Sequence, residues 1–192
     1  FEDARVAQAN VIGEVDRGWQ VAKYLLEFER GGSAYSAGLK VRADAIARHA
    51  GETRSGERTL IEDPAFAHKL ARAMVRIDVL EVMELKLLST AGAGKSVGAM
   101  SSLMKIMGTE LAQHLADLAL EAAGAHGAVF QPHATRPGAD IPDYEAPADG
   151  YVSGDRWQAI ATLQYLNERA GSIYAGSNEI QRNILAKHVL GL

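Results

Sequence analysis

The chain has no cysteine, which excludes disulfides and thiolate chemistry and fits a reducing, cytoplasmic setting. No apolar run reaches the roughly 18 to 20 residues that a membrane-spanning helix needs, and Phe1-Glu2-Asp3 opens the chain without the charged and apolar regions of a signal peptide. A membrane is therefore not an expected partner. The same opening lacks an initiator methionine, which points to a piece of a longer protein. Blocks of one charge are missing too: 20 Lys and Arg are interspersed with 24 Asp and Glu, for a net charge of −4. Without a basic stripe to neutralise a phosphodiester backbone, nucleic acid is not expected. Proline is scarce outside 125–153, where Pro132, Pro137, Pro142 and Pro147 are four of the five. What is present is a 47% hydrophobic composition over 192 residues, enough to bury one substantial core.

Residues 1–17 carry Val6, Val11, Ile12 and Val15 among turn formers such as Asn10 and Gly13, and read as a short strand or extended lead-in that cannot form a sheet alone. From Trp19 the apolar period is helical through Ala22, Leu25, Leu26, Leu39 and Ile46, interrupted by Gly31-Gly32. Glycine inside a helix costs about 1 kcal/mol relative to alanine, so this pair marks close approach by a ligand or, as the plainer reading, by a neighbouring helix. Residues 51–61 are polar and turn-like. Asp63-Pro64 supplies an N-cap and first residue for a long amphipathic helix carrying Phe66, Leu70, Met74, Ile77, Leu80, Met83 and Leu87, which Gly92-Ala93-Gly94 ends.

A further helix runs from about Val97 to Ala123, with Met100, Leu103, Met107, Leu111, Leu115 and Leu118 along one face. Its methionines read as core filling. The proline-rich stretch is longer than loops in compact domains usually are, which marks it as functional or poorly ordered. Helical spacing resumes through Trp157, Ile160, Leu163, Leu166 and Ile173 and, after Ala175-Gly176, through Ile180, Ile184, Leu185 and Val189. Five helices with no strand–helix alternation predict an all-α fold: an antiparallel four-helix bundle with an additional C-terminal helix and a short extended N-terminal lead-in.

Several motifs reduce to structure. Ser89 to Ser96 imitates the end of a phosphate-binding loop but lacks the first glycine and follows a helix, so it reads as an interhelical turn. The six histidines have no metal-ligand spacing, and no metal is expected. No Gly-x-Ser-x-Gly elbow is present for acyl transfer. Ser177-Asn178-Glu179 reads as a helix cap with an acid in the first turn; the functional alternative is that its backbone N–H groups hold an anionic cofactor group, which Gly176 lets approach closely.

Ser172-Ile173-Tyr174-Ala175-Gly176-Ser177, with the helix after it, resembles the C-terminal signature of the flavin-dependent acyl-CoA dehydrogenases, and Lys105 and Glu110 also fall where that family has Lys and Glu. The resemblance covers essentially all 192 residues. It implies that residues 1–17 close a middle β-domain, that residues 18–192 form the C-terminal helical domain, and that the cofactor is FAD. The implied reaction is α,β-dehydrogenation of an acyl-CoA thioester to a trans-2-enoyl-CoA, with reduced flavin passing electrons to an electron-transfer acceptor protein. Many members carry the catalytic glutamate where this chain has Ala175, whose methyl group cannot take a proton. In another branch the base precedes an arginine in the domain's first helix. Leu26-Glu27-Phe28-Glu29-Arg30 matches that arrangement, which makes Glu29 the base, provided its pKa is raised toward that of the substrate α-carbon. By the same resemblance Glu27, Arg30 and Gly176 contact substrate, and Gly176, Ser177, Asn178 and Glu179 contact FAD.

The chain also departs from the family. An Arg-x-x-Phe-Gly element is replaced by Arg54-Ser55-Gly56-Glu57-Arg58, and a Gln-x-x-Gly-Gly element by Glu121-Ala122-Ala123-Gly124-Ala125. The second change sets an acid where an amide meets a pyrophosphate, and like charges repel strongly where water is excluded. The expectation is a homo- or hetero-oligomer, with the hetero-oligomer favoured and resembling the α2β2 enzymes of bacterial steroid side-chain degradation. The competing expectation is a non-catalytic structural subunit of such an assembly.

Overall fold

A computed structural model describes residues 1–29, 35–95, 97–136 and 140–192, with the side chains of residues 26–29 left out. Its α-helices are α1 (Gly18–Glu29), α2 (Tyr35–Glu52), α3 (Pro64–Gly92), α4 (Met100–Ala123), α5 (Arg156–Glu168) and α6 (Asn178–Leu185). Helices α2 to α5 form the bundle, and α4 lies against α2, α3, α5 and α6. The all-α expectation holds. Phe66, Ile77, Leu80, Leu111, Leu115 and Leu118 are fully buried between α3 and α4, and each such side chain contributes roughly 1.5 to 3 kcal/mol of hydrophobic stabilisation.

The local signals explain most of the boundaries. Asp63 Oδ1 accepts from Ala65 N at 2.8 Å and Phe66 N at 3.2 Å, with Pro64 at the first helical position. Between α2 and α3 the polar segment closes as a two-residue antiparallel pair, β1 (Arg54–Ser55) with β2 (Arg58–Thr59), turning at Gly56 with φ +67°.

Of the two readings of residues 1–17, the extended lead-in is the one observed: they are exposed, with one 3-10 turn at Gln8–Asn10 and no strand, since an isolated strand has no partner for its backbone. Three other sequence expectations need correction. Among the described residues the first helical stretch falls into α1 and α2, and the N–H groups of Tyr35 and Ser36 go to the Glu84 carboxylate on α3. Donors taken from outside in this way mark a helix start. Gly31 and Gly32 lie outside the described residues. The methionines divide: Met104 is buried, whereas Met100, the first residue of α4, is exposed, and so is Met74, because Ala73 takes the core position beside Leu70 on α3. On α5 the buried residues are Ala159, Ala161 and Thr162, while Leu166 is exposed. Small side chains let α5 and α4 approach closely, and that selects which face turns inward.

The proline-rich stretch folds into short 3-10 turns at Gly124–Ala128 and Pro132–Ala134, and Pro137 lies outside the described residues. Buried Gln131 ties it down, accepting from Ser153 N at 2.6 Å and donating to Ser153 O at 3.1 Å. No described helix is long and apolar enough to cross a membrane.

Candidate functional site

The signature segment is built around a buried polar face. On α6 the buried residues are Asn178 and Gln181, while Ile180 is exposed, the reverse of what its apolar period suggests. Asn178 sits against α4. Lys105 Nζ donates to Asn178 Oδ1 at 2.8 Å, Asn178 Nδ2 donates to Thr109 Oγ1 at 3.1 Å, and Thr109 Oγ1 donates to Lys105 O at 2.9 Å. That assignment uses each proton once and satisfies the amide. The Asn178 side chain is thus committed inward, and what it offers a ligand is its backbone N–H. The sequence reading missed Thr109 and Gln181; the i, i+4 pair Lys105/Thr109 and the i, i+3 pair Asn178/Gln181 were the available signals.

Burial pushes the Lys105 ammonium below its ordinary 10.5, against a smaller opposing pull from Glu179. The native protein therefore holds that proton less tightly than the unfolded chain, so stability rises with pH from the depressed native value up to 10.5. Lys105→Met is expected to flatten that rise, as urea unfolding of both proteins across the alkaline range would show. An unchanged slope would mean that the buried amine does not carry it.

Gln181 has no exposed surface, and its Nε2 donates to Ala175 O at 3.4 Å and Gly176 O at 3.3 Å. Both turn residues are left-handed, Ala175 with φ +55° and Gly176 with φ +82°. A Cβ at Gly176 would lie 2.6 Å from Gln181 Nε2. Because C=O and N–H point oppositely across a trans peptide, carbonyls turned inward to Gln181 leave the N–H groups of Gly176 and Ser177 facing away from the bundle. Ile173, Tyr174 and Ile180 are exposed beside them. Ala175 is exposed as well, and its methyl group offers no proton acceptor there.

Ser177 caps α6, accepting from Ile180 N at 3.4 Å. Glu179 is held below the usual carboxylate range by its own backbone N–H, then by the Ser177 hydroxyl. Its charge lies over the first turn of α6, where it opposes a second anion such as a pyrophosphate. A neutral acceptor, such as a flavin-ring or thioester carbonyl, suits the remaining outward N–H groups better.

Helix α4 also secures the neighbouring chain. Gln113 Nε2 donates to Glu168 O at 3.0 Å and Ser172 Oγ at 3.1 Å, and Arg182 pairs with Glu110. A groove of about 310 Å³ opens there, lined by Tyr35, Gly38, Arg42, Thr109, Glu168 and Tyr174 among others, with Arg42 Nη1 2.6 Å from Glu168 Oε1. Glu27 and Glu29 fall at the C-terminal end of α1, with their side chains outside the description, and Arg30 lies outside the described residues. Helix α2 begins six residues after Glu29, and Tyr35 packs over Gly108, where a Cβ would lie 2.6 Å from Tyr35 Cδ1. One turn of α4 therefore touches the helix that follows Glu29, through Gly108, and the residue that follows Gly176-Ser177, through Thr109. Glu121, predicted to repel a pyrophosphate, is paired by both oxygens with Lys69 Nζ at 2.9 Å. Among the described residues no acidic or histidine cluster could hold a metal.

An all-helical domain whose last helix is anchored through buried polar groups beneath a left-handed, outward-facing turn is the class to which these features belong. The family described as acyl-CoA dehydrogenase, C-terminal domain, matches residues 16–190, and the chain belongs to it. Acyl-CoA dehydrogenase IpdE1 of Mycobacterium tuberculosis is 31% identical over the whole chain, which spans 43% of that protein. The rat mitochondrial short-chain specific acyl-CoA dehydrogenase is 24% identical over 99% of the chain and 40% of its own length. Among solved structures, the ChsE4–ChsE5 complex from M. tuberculosis superposes with a TM-score of 0.69 at 26% identity, covering 97% of this chain and 43% of that one. The chain thus spans less than half the length of these relatives.

Proposed function

We propose that this chain is the C-terminal helical domain, entered through residues 1–17 from a preceding β-domain, of one subunit of an FAD-dependent acyl-CoA dehydrogenase that forms a trans-2-enoyl-CoA. The observation that carries the reading is the convergence at Gly108 and Thr109 of the helix following Glu29 with the signature turn. Glu29 removes the substrate α-proton, with Glu27 and Arg30 beside it. The outward N–H groups of Gly176 and Ser177, with that of Asn178, hold and orient the flavin ring and the thioester end; Glu179 borders them. Exposed Ile173 and Tyr174 exclude water from the reacting carbons. FAD, when bound, supplies the hydride acceptor, and an electron-transfer protein reoxidises it.

The subunit is proposed to act in a hetero-oligomer. Glu121 is tied to Lys69 and presents no amide to a neighbour's cofactor, and the Phe-Gly of the family's Arg-x-x-Phe-Gly element is absent. A partner of different sequence supplies both. The outward stripe of Val75, Val79, Val82, Leu85 and Leu88 on α3 supports an assembly, since exposed apolar patches mark interaction surfaces. Expressed without a partner, the full-length subunit is expected to bind less than one FAD per chain and to gain FAD and turnover on co-expression with an acyl-CoA dehydrogenase-like partner. Stoichiometric FAD and full turnover in the lone homomer would reject the heteromeric reading.

A further inference from the structure

Helix α3 carries a hollow that the mechanism above does not use. It opens against α4 with a volume of about 190 Å³ and is lined by His68, Lys69, Arg72, Ala73, Arg76 and His114. None of these lines the groove beside the signature turn. Ala73 is fully buried and small, which keeps the floor open, and the longer side chains form the rim. His68, Arg72 and Arg76 recur every four residues and so share one face of α3, and His114 joins them from α4. The space far exceeds the roughly 10 to 15 Å³ that admits one water. Its charge is not balanced within the chain. Every carboxylate of α3 and α4 is engaged: Asp78 and Glu81 with Lys40, Glu84 with the start of α2, Glu110 with Arg182, Asp117 with Arg169 and Glu121 with Lys69. Of Lys69, Arg72 and Arg76, Lys69 alone meets an acid among the described residues. Like charges four apart on a helix repel, so the two arginines leave an unmet demand for an anion.

We propose that this hollow binds a phosphate-bearing anion, through a phosphate or diphosphate group, at a site separate from the flavin and the thioester. A single carboxylate is satisfied by one guanidinium fork. Two forks, a lysine and two imidazoles around one hollow suit an anion with more oxygens and more than one charge, and guanidinium groups match phosphate oxygens in pairs. Glu121 is not part of the lining, but it occupies the Lys69 ammonium with both oxygens and so holds one cation back from the ligand.

The test titrates the full-length, assembled subunit calorimetrically with inorganic pyrophosphate and, in a second arm, with ADP, at fixed pH and at low and high salt. Pyrophosphate is expected to bind saturably, with a Kd tighter than about 1 mM that weakens as salt screens the site. Arg72→Gln combined with Arg76→Gln is expected to weaken binding by about 10-fold or more, since it removes charge-assisted hydrogen bonds. Glu121→Gln frees Lys69 and should tighten binding by about 3-fold. Lys86→Gln, further along the exposed side of α3, should leave it unchanged. Tighter binding of ADP makes a nucleotide the source of the anion, equal affinity makes it the free oxyanion, and both support the site. Absence of saturable binding, or equal weakening by Lys86→Gln, overturns it. Bound FAD is expected to stay at the parent level in the double variant; FAD lost in step with pyrophosphate would make the hollow a cofactor site and overturn a separate one. Salt-sensitive loss of the partner subunit without pyrophosphate binding would make the arginines a seat for the partner's carboxylates, which also overturns the proposal. If the double variant does not assemble, Glu121→Gln decides, and weaker or unaltered binding in it overturns the proposal. Pyrophosphate binding is read whether or not FAD is bound, so failure of the flavin reading leaves this test intact.

Discussion

Glu29→Gln in the assembled, full-length subunit is expected to lower dehydrogenation by about 100- to 10,000-fold, the range a positioned general base contributes, while bound FAD stays at its parent level. Glutamine has nearly the same shape but no basic oxygen, so it removes the proton acceptor and little else. The expectation is strong here because the alternative position is empty of function: Ala175 stands in the signature with a left-handed backbone and a methyl group. No described residue of the signature turn, Ile173 to Ser177, carries a carboxylate. Turnover and flavin absorbance measured on the same preparation check it, and activity within a fewfold of the parent would reject Glu29 as base.

Gly108→Val is expected to destabilise the subunit by about 1 to 3 kcal/mol, the usual cost of overpacking a filled site, and to lower turnover further than that loss alone explains. Glycine within a helix normally gives up roughly 1 kcal/mol against alanine, so a larger residue on an open face would help. Here the first carbon would already meet Tyr35 Cδ1 at 2.6 Å and Cδ2 at 2.7 Å, and the backbone that carries the ring is held by Glu84. The clash outweighs the propensity gain. Urea unfolding and turnover on one preparation test it; unchanged or increased stability would show that the α2–α4 contact is looser than described.

The second prediction turns on α4, whose buried side combines Leu111, Leu115 and Leu118 with Lys105, Gly108 and Thr109. The apolar members organise the bundle and the polar ones organise the site. That division explains why the helices were readable along the chain and the site only in part. Asp63-Pro64, the Phe66 to Leu87 period and the Gly92 to Gly94 break are local signals, and local chemistry obeys them: a cap, a stripe and a stop each act within a few residues. The family signature was equally legible, with alanine at position 175.

Three features were not legible, each because its cause lies far away in sequence. The inward face of α6 is polar, since Asn178 finds Lys105 and Thr109 across 73 and 69 residues. The apolar period alone assigns that face to Ile180. The start of α2 depends on a carboxylate from another helix. Glu121, a bare charge in the sequence, meets Lys69 across 52 residues. The sequence by itself determined the helical class, most helix positions and the family, because these follow from spacing and residue chemistry within short windows. Only the tertiary structure decided which polar groups are buried, which N–H groups face outward and how α2 and α6 are held to one turn of α4. A polar group is buried only where a partner meets it, and here the partners arrive from other helices.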